Sequence, residues 1–345
     1  CKSRHGVRPL HRLFQGRKPA LRFHLQALTR IMTRQYDRVP ELSLKAYTDG
    51  GADERRRFQE ALYEGFQYFG FIILQDHGVS RDLLKRAYDL SAALFDLPED
   101  YKMKFFREDG QRGYTPFGRE HAKDSKFPDL KEFWHVGREF DEGSPLASTY
   151  PPNMWPERPE GFRDTFLEIY DALEAAGLVM LEALAPSLGV DDDYFRRMAT
   201  NGNSILRLLH YPPIPESADP NCIRAAAHED INLITILVAA NGAGLELLDR
   251  DGKWLPVETD PDNLIVDAGD MLARICNDVI PATTHRVVNP DGPNVSRYSM
   301  PFFMHPHSDA VLSCLESCKG KAAKYADITA DAFLKQRLQE IGLAG

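Results

Sequence analysis

Regularly spaced hydrophobic residues predict a helix, a strand and a second helix between residues 50 and 97. The stretch "ADERRRFQEALYEGFQYFG" begins with polar residues and places Phe58, Leu62 and Phe66 on one helical face. The second helix is predicted over "SRDLLKRAYDLSAALFDLP", which starts at Ser80, a residue type that caps helix N-termini. Between the two helices, "GFIILQDHGVS" predicts a short apolar strand that ends in a turn.

The longest helical pattern covers residues 160–188. Its apolar stripe consists of Phe162, Phe166, Ile169, Leu173, Leu181 and Leu184. We interpret this stripe as scaffold, because a helix with one apolar face normally packs that face against a core. Residues 107–160, rich in Gly, Pro and single aromatic residues, predict loops with short strands.

From residue 202 onward the pattern changes to short strands. They are predicted in "SILRLLHYPP", "LITILVAA", "GLELLDRDGKWLPV", "NLIVDAGDMLARICN" and "TTHRVVNPDGPNVSRYSMPFFM". Short strands divided by Asp-Gly, Asn-Gly and Pro turns predict a sandwich or a barrel, of which the jelly roll is one form. A last helix is predicted over about residues 329–343, so the expected fold class is α+β.

Charge is distributed unevenly along the chain. The formal net charge is −9, but residues 1–31 hold eight Lys and Arg and no Asp or Glu, so the rest carries −17. An acidic body argues against nucleic acid as a partner. The basic start is either an Arg-rich transit peptide or an extension that is disordered or spuriously translated, and we favour the second interpretation.

The cysteines and the hydropathy pattern bear on the compartment. The chain has an odd number of cysteines without a C-x-x-C pair, which suggests a reduced, cytoplasmic protein. No apolar run approaches the length that spans a bilayer, so we expect no membrane segment.

An acidic doublet led by a histidine, His228-Glu229-Asp230, opens a run that otherwise predicts a buried strand, "RAAAHEDINLITIL". Charged groups are rarely buried unless they are paired or bind a metal. On a strand, His228 and Asp230 share a face and Glu229 points away. With His285, in "IPATTHRVVNP", they form the two-histidine, one-carboxylate set of non-haem Fe(II) oxygenases, although zinc accepts the same ligands.

A second pair of residues, Arg297 and Ser299 in "VSRYSMPFF", also shares a strand face. An Arg fork suits a carboxylate, and a Ser hydroxyl adds another donor. If "NPDGPN" is a hairpin turn centred on Asp291, His285 lies directly across from Arg297, and both enter one cleft. An iron triad with a carboxylate clamp is what an oxygenase that uses a 2-oxo acid needs.

These motifs resemble those of the 2-oxoglutarate/Fe(II) dioxygenases of the isopenicillin N synthase-like family. The resemblance covers residues 39–343 and includes "GFIILQDHGV", "LRLLHYPP", "HED", "TTHRV" and "RYS". It implies a double-stranded β-helix (jelly-roll) core flanked by helices. We therefore divide the chain into the extension (1–31), an N-terminal helix and strand region (32–200), the jelly-roll catalytic core (201–312) and a C-terminal helical segment (313–345).

The resemblance also implies roles for the motif residues. It implies that His228, Asp230 and His285 bind Fe(II). It further implies that Arg297 and Ser299 hold the distal carboxylate of 2-oxoglutarate.

Tyr211, in the "YP" motif, is implied to contact 2-oxoglutarate near the metal. Where many plant members read Asn-Tyr-Tyr-Pro, this chain has Leu209-His210-Tyr211-Pro212, so the contribution of the Asn is missing. Isopenicillin N synthase and aminocyclopropanecarboxylate oxidase share the R-x-S pair without consuming 2-oxoglutarate, which leaves the cosubstrate open at this point.

Four residues are candidates for the substrate pocket: Arg207, Trp134, His135 and Phe303. Arg207 either meets an anionic substrate or pairs with an acidic residue. Trp134 and His135, in "KEFWHVGRE", resemble the variable stretch that lines substrate pockets in this family, or belong to a packed loop.

Two further groups of histidines need an interpretation. His305 and His307, in "FFMHPHSDA", form a rival H-x-H pair that we interpret as a strand end at the rim of the cleft. His77, in "QDHGV", is interpreted as a turn residue satisfied by backbone groups.

The sequence therefore predicts a cytoplasmic dioxygenase that uses Fe(II), 2-oxoglutarate and molecular oxygen to oxidise, by default to hydroxylate, a small organic molecule. Two alternatives are an oxidase of the same fold that uses no 2-oxoglutarate, such as an oxidative cyclase, and a catalytically silent jelly-roll binding protein. The identity of the substrate is not encoded in any motif of the chain.

Overall fold

The structure is a computed structural model that describes residues 38–121, 127–141, 143–238 and 243–340. The predicted extension, residues 1–31, lies outside the described residues, as does the end of the predicted last helix.

Helices are concentrated in the N-terminal part of the described chain. The α-helices of the described residues are α1 (Leu44–Thr48), α2 (Ala52–Phe69), α3 (Arg81–Phe95), α4 (Glu99–Lys102), α5 (Phe162–Leu184), α6 (Tyr194–Ala199), α7 (Asp270–Ile275) and α8 (Ala330–Glu340). Short 3-10 turns follow α4 (Met103–Phe105) and α5 (Ala185–Leu188). The predicted helices α2, α3 and α5 are confirmed, and Ser80 caps α3 by accepting a hydrogen bond from the backbone N–H of Leu83 at 3.2 Å. None of these helices combines the length and apolar composition of a membrane span.

The strands form two sheets that face each other. They are β1 (Glu41–Ser43), β2 (Phe71–Gln75), β3 (Gly113–Thr115), β4 (Glu132–Gly137), β5 (Ile205–Tyr211), β6 (Ala225–His228), β7 (Ile234–Val238), β8 (Leu245–Leu248), β9 (Trp254–Pro256), β10 (Leu264–Ala268), β11 (His285–Val287) and β12 (Arg297–Met304). The larger sheet has the order β1-β2-β10-β7-β12-β5-β4-β3, and the smaller has β6-β11-β8-β9. Helices on the outside of the larger sheet complete the predicted jelly roll flanked by helices.

Side chains alternate between the two faces of the larger sheet, and each face belongs to a different hydrophobic cluster. On β12, Met300, Phe302 and Met304 belong to the outer cluster, which the sheet shares with α2, α3 and α5. On β5, Leu209 and Tyr211 belong to the inner cluster between the two sheets. Because successive side chains point to opposite faces, every second residue of β12 and β5 faces the space between the sheets.

The predicted hairpin between His285 and Arg297 is wrong. His285 lies on the smaller sheet, where it pairs with His228 and Leu247. Arg297 lies on the larger sheet, opposite Tyr211. The Asp-Gly turn signal predicts that the chain reverses, but a strand that leaves one sheet of a jelly roll can enter the other sheet instead of pairing with its predecessor.

Two other local predictions need correction. The segment "DMLARI", predicted as part of a strand, forms α7 directly after β10. The strand that contains His228 ends at this residue, and β7 begins only at Ile234, so Asp230 lies in the connecting turn rather than on a strand. The prediction that His228 and Asp230 share a strand face is therefore wrong about the backbone, although the turn still brings the two side chains together.

Candidate active site

Three segments bring the predicted metal ligands to one point between the sheets. His228 ends β6, His285 begins β11, and Asp230 follows in the turn after β6. The ligand atoms of the three side chains all lie within 4.8 Å of one another. Asp230 Oδ1 is 3.8 Å from Nε2 of His228 and 4.0 Å from Nε2 of His285. The structure thus brings together the three residues that the sequence singled out.

Backbone carbonyls fix both imidazoles in the form that binds a metal. His228 Nδ1 lies 2.7 Å from the carbonyl of Ala226, and His285 Nδ1 lies 3.1 Å from that of Thr283. A carbonyl only accepts, so Nδ1 carries the proton and Nε2 presents its lone pair to the cluster. Burial, reinforced by the nearby His228, lowers the pKa of His285 to about 4, which keeps this ring neutral at pH 7.

Two residues that the sequence analysis missed lie beside the carboxylate of Asp230. The Thr235 hydroxyl donates to Asp230 Oδ2 and itself accepts from Asn232 Nδ2 at 2.9 Å. Burial, followed by the negative charge of Asp230, raises the pKa of Asp267 well above its usual range. In the sequence, both residues are polar residues at an inward position of an apolar run. Thr235 lies in "LITILV" and Asp267 lies in "NLIVDAG".

The two residues of the predicted carboxylate clamp lie on the inward face of β12, next to β5. Arg297 and Ser299 are both buried on β12, and the Arg297 guanidinium lies 5.1 Å from the ring centre of Tyr211 on β5. Burial, followed by the positive charge of Arg297, lowers the pKa of a further buried arginine, Arg224. Leu209, at the start of the "LHYP" motif, belongs to the inner apolar cluster.

A cavity of about 490 Å³ adjoins the metal-ligand cluster. His228, Asp230, Arg207, His135 and Phe303 are among the residues that line it. The C-terminal helix α8 contributes wall residues that the sequence did not predict, namely Leu334, Arg337 and Leu338. The volume is in the range of small-molecule sites.

The charge of Arg207 is already neutralised within the cavity wall. Its Nη1 lies 3.1 Å from Glu120 Oε2, and its Nε donates to His135 Nε2 at 2.6 Å. Lys131 contacts the same Glu120 oxygen at 2.6 Å. Burial opposes ionisation of Glu120, but the two cations outweigh it and hold its pKa well below the usual range. Of the two interpretations of Arg207, the structure therefore favours pairing with an acid.

Trp134 is not a pocket residue. It is fully buried in the outer cluster, against Phe105 and Phe162, and is not among the residues that line the cavity. Its neighbour His135 does line the cavity, because adjacent residues of β4 point to opposite faces of the sheet. Of the stretch "KEFWHVGRE", only Lys131 and His135 line the cavity.

The donor set fits Fe(II). Two imidazoles whose Nδ1 atoms contact carbonyls, together with one carboxylate, would bind one side of an ion and leave its remaining positions open. A structural zinc site would be closed by a fourth protein ligand, and the described residues contain no fourth histidine, cysteine or acid in this cluster.

Comparison with known proteins agrees with this geometry. Residues 202–306 match the model of the 2OG-Fe(II) oxygenase superfamily, and residues 39–158 match the model described as non-haem dioxygenase in morphine synthesis, N-terminal. A 2-oxoglutarate-Fe(II) type oxidoreductase, hxnY, of Emericella nidulans is 31% identical over 84% of this chain and 85% of its own length. The chain belongs to the 2-oxoglutarate/Fe(II) oxygenase superfamily.

Solved structures show the same relationship. A 2OG-Fe(II) oxygenase family protein from Caulobacter crescentus is 41% identical, with a TM-score of 0.79 over 89% of this chain and 100% of its own. A full-length Neurospora crassa protein, solved with alpha-KG and thymine, is 28% identical, with a TM-score of 0.78 over 89% of this chain and 98% of its own. The protein is a non-haem iron dioxygenase that uses Fe(II) as its cofactor and 2-oxoglutarate and oxygen as cosubstrates.

Proposed function

We propose that His228, Asp230 and His285 hold the Fe(II) of this dioxygenase. One observation carries the proposal: the three ligand atoms converge within 4.8 Å while both Nδ1 atoms are committed to carbonyls. These three side chains would hold Fe(II) with only part of its coordination sphere filled by protein, which suits a metal that supplies oxidative chemistry.

The protein contributes orientation and a shielded site. The hydrogen bond from Thr235 holds Asp230 Oδ2, so Oδ1 is the oxygen that faces the imidazoles. When bound together, Fe(II), 2-oxoglutarate and oxygen supply the oxidation, and 2-oxoglutarate leaves as succinate and CO2. The inner apolar cluster beside the site limits access of water.

Arg297 and Ser299 are proposed to bind the distal carboxylate of 2-oxoglutarate. Both are buried, both face the space between the sheets, and a guanidinium with a hydroxyl matches a carboxylate. Tyr211, against the Arg297 guanidinium, adds a contact from the neighbouring strand. With Leu209 in place of Asn, the clamp depends on these three side chains.

The substrate is proposed to be a small organic molecule that occupies the cavity beside His228 and Asp230. The cavity volume and the crystallisation of the related Neurospora crassa protein with thymine support this class of substrate. Hydroxylation is the expected reaction, and desaturation or ring closure would use the same metal site. The cytoplasmic location and the lack of a nucleic-acid partner stay predictions that the cysteine pattern and the acidic body support.

An assay for succinate tests the proposed function. The purified protein is incubated in air with Fe(II), ascorbate and 2-oxoglutarate, with and without a panel of small molecules, and succinate is measured. We expect succinate that depends on both Fe(II) and 2-oxoglutarate and rises in the presence of a substrate. Oxygen consumption without succinate would favour the oxidase, and neither product nor oxygen consumption would favour the silent binding protein.

A further inference from the structure

The strand that carries His228 has an irregularity directly before this residue. The paired residues of β6 and β11 are His228 with His285 and Ala225 with Val287. Between these two pairs β6 has two residues, Ala226 and Ala227, whereas β11 has only Arg286. Two residues opposite one form a β-bulge, which disrupts the hydrogen bonds between the strands at that point. Contacts from outside the sheet are therefore needed to fix the direction of His228.

Side chains bond to both polar backbone groups of Ala226. Its N–H donates to Asp129 Oδ1 at 2.9 Å. Its carbonyl lies 2.7 Å from Nδ1 of His228 and can only accept, so it orients this imidazole. Because the N–H and the carbonyl belong to one residue, the carboxylate that holds the N–H of Ala226 also restrains the carbonyl that orients His228.

Asp129 lies along the outer edge of β6. Among the described strands, β6 is the last of the smaller sheet, and β11 is its only neighbour in that sheet. On the other edge, the N–H of Leu130 donates to the carbonyl of Ile223 at 3.1 Å, and the N–H of Ala226 donates to Asp129. Segment 129–130 thus binds β6 on the side away from β11.

A buried lysine holds the carboxylate of Asp129. Lys131 Nζ lies 2.8 Å from Asp129 Oδ2 and 2.6 Å from Glu120 Oε2. Glu120 also pairs with Arg207 of β5 at 3.1 Å. The two carboxylates and two cations balance in charge, so all four can be buried together. The cluster ties Asp129, and with it the edge of the smaller sheet, to the larger sheet.

We propose that Asp129 is a positioning residue for the iron site. It holds Ala226 at the bulge, and Ala226 holds the imidazole of His228 with Nε2 toward the other two ligands. Asp129 acts through Ala226, since it is not a member of the metal-ligand cluster. The inference rests on the proposed function, because it takes His228 as a ligand of Fe(II).

Asp129→Asn and Glu132→Gln form a matched pair of variants. Each replaces a buried carboxylate that pairs with a buried lysine by an amide of the same shape. The amide at residue 129 has a single acceptor oxygen, so it cannot serve both Ala226 and Lys131. Glu132 pairs with Lys102 at 2.8 Å in a separate buried cluster, so its replacement is the control.

Anaerobic titration of Fe(II) into the full chain gives the first measurement. We expect Asp129→Asn to bind Fe(II) about tenfold more weakly than the wild type, and Glu132→Gln to stay within about twofold of it. Unchanged affinity in Asp129→Asn would overturn the proposal. An equal loss in both variants would also overturn it, because the effect would then be a general loosening of the fold.

The Nδ1 protons of the two histidine ligands give a measurement that separates His228 from His285. With paramagnetic Co(II) in place of Fe(II), the exchangeable protons of the bound imidazoles give proton NMR signals outside the usual range. We expect two such signals, one of which exchanges faster with solvent in Asp129→Asn. The signal of His285 should not change, because its Nδ1 contacts the carbonyl of Thr283 instead. Two unchanged signals, or equal changes in both, would contradict the proposed role.

A second pair of variants decides the matter if Asp129→Asn does not fold. Lys131→Met and Lys102→Met each remove one buried lysine, and only the first releases the carboxylate of Asp129. Weaker Fe(II) binding and faster exchange of one Nδ1 proton in Lys131→Met alone would support the proposal. The same behaviour in both variants, or no effect in either, would overturn it.

His228→Ala separates failure of this inference from failure of the proposed function. It is titrated with Fe(II) beside the other variants. If His228→Ala binds Fe(II) as tightly as the wild type, the assignment of the ligands fails. If it loses Fe(II) while the Asp129 and Lys131 variants retain wild-type affinity, the ligands stand and only the positioning role of Asp129 is wrong.

Discussion

Three histidines that face the space between the sheets make the same local hydrogen bond. In His228, His285 and His305, Nδ1 contacts the backbone carbonyl two residues earlier in the chain. This hydrogen bond places the proton of the neutral ring on Nδ1, so Nε2 carries the lone pair whatever binds there. Nε2 of His228 and Nε2 of His285 lie near Asp230 in the metal-ligand cluster. His305 lies in the wall of the cavity.

The hydroxyl of Thr235 should be needed for tight iron binding. Thr235→Val keeps the shape of the side chain but removes the hydrogen bond to Asp230 Oδ2. We expect iron affinity to fall by about 10- to 100-fold, the usual effect of losing a partner of a metal ligand. Anaerobic Fe(II) titration measures it, with Thr284→Val as a control because Thr284 contacts Glu229 instead. Equal affinities in both variants would argue that Thr235 has no role in orienting Asp230.

Arg297 should determine the affinity for 2-oxoglutarate. Arg297→Met keeps much of the apolar stem and removes the charge-assisted hydrogen bonds, so binding of 2-oxoglutarate should weaken by about 1.5–3 kcal/mol while iron still binds. Calorimetric titration of the Fe(II)-loaded protein measures both. The matched control is Arg286→Met, because Arg286 pairs with Glu246 on the smaller sheet. Unchanged 2-oxoglutarate affinity in Arg297→Met would contradict the proposed role of Arg297 in the clamp.

For single residues, the sequence was most informative about residue types that have few common roles in proteins. The H-x-D pair, the distal His285 and the R-x-S pair were singled out jointly by residue type and spacing, and the family resemblance implied their roles. Glu120 gave no such signal, although it contacts both Arg207 and Lys131. This cluster depends on the packing of segments that are distant in the chain, which no local pattern contains.

Among the elements, alternation along strands was predictable and strand pairing was not. The inward positions of β12, Arg297 and Ser299, follow from the period of two. The strand that pairs with β11 could not be predicted, because a turn motif does not determine which sheet the next strand enters. The cavity wall formed by α8 was likewise beyond the sequence, because helix periodicity indicates an apolar face but not the surface that it covers.

Phe333 should hold α8 on the body of the protein. Its ring is buried in the outer cluster, while Leu334 and Leu338 of the same helix line the cavity. Phe333→Ala should lower the free energy of opening this helix by about 3 kcal/mol, the scale of losing a buried aromatic ring. Hydrogen exchange of the amides in residues 330–340 measures the effect, and Lys335→Ala, at an exposed ion pair, is the control. Unchanged exchange in Phe333→Ala would show that other contacts dock the helix.

Over the whole molecule, the site exists only when the two sheets face each other. His228 and His285 come from the smaller sheet, whereas Thr235 and Arg297 come from the larger sheet. An ion that binds the folded chain and not the unfolded one stabilises the fold by mass action.

Metal removal should therefore lower the thermal stability. At a free Fe(II) concentration 100 times the dissociation constant, stabilisation should be about 2.7 kcal/mol. Anaerobic thermal unfolding with Fe(II), and again after chelation, measures it through the midpoint Tm. Asp230→Ala should show the same Tm in both conditions. A wild-type Tm that does not change with Fe(II) would contradict tight binding of the metal to the folded chain.

The most direct measurement of the central claim is the anaerobic titration of Fe(II) into the wild type, Asp230→Ala and Glu229→Ala. Asp230 supplies the only carboxylate of the ligand cluster in the described residues, whereas the exposed Glu229 accepts a hydrogen bond from Thr284. We predict one tight site in the wild type, a sharp loss of affinity in Asp230→Ala, and near wild-type affinity in Glu229→Ala. Loss of iron in Glu229→Ala with retention in Asp230→Ala would contradict the assignment of the three ligands.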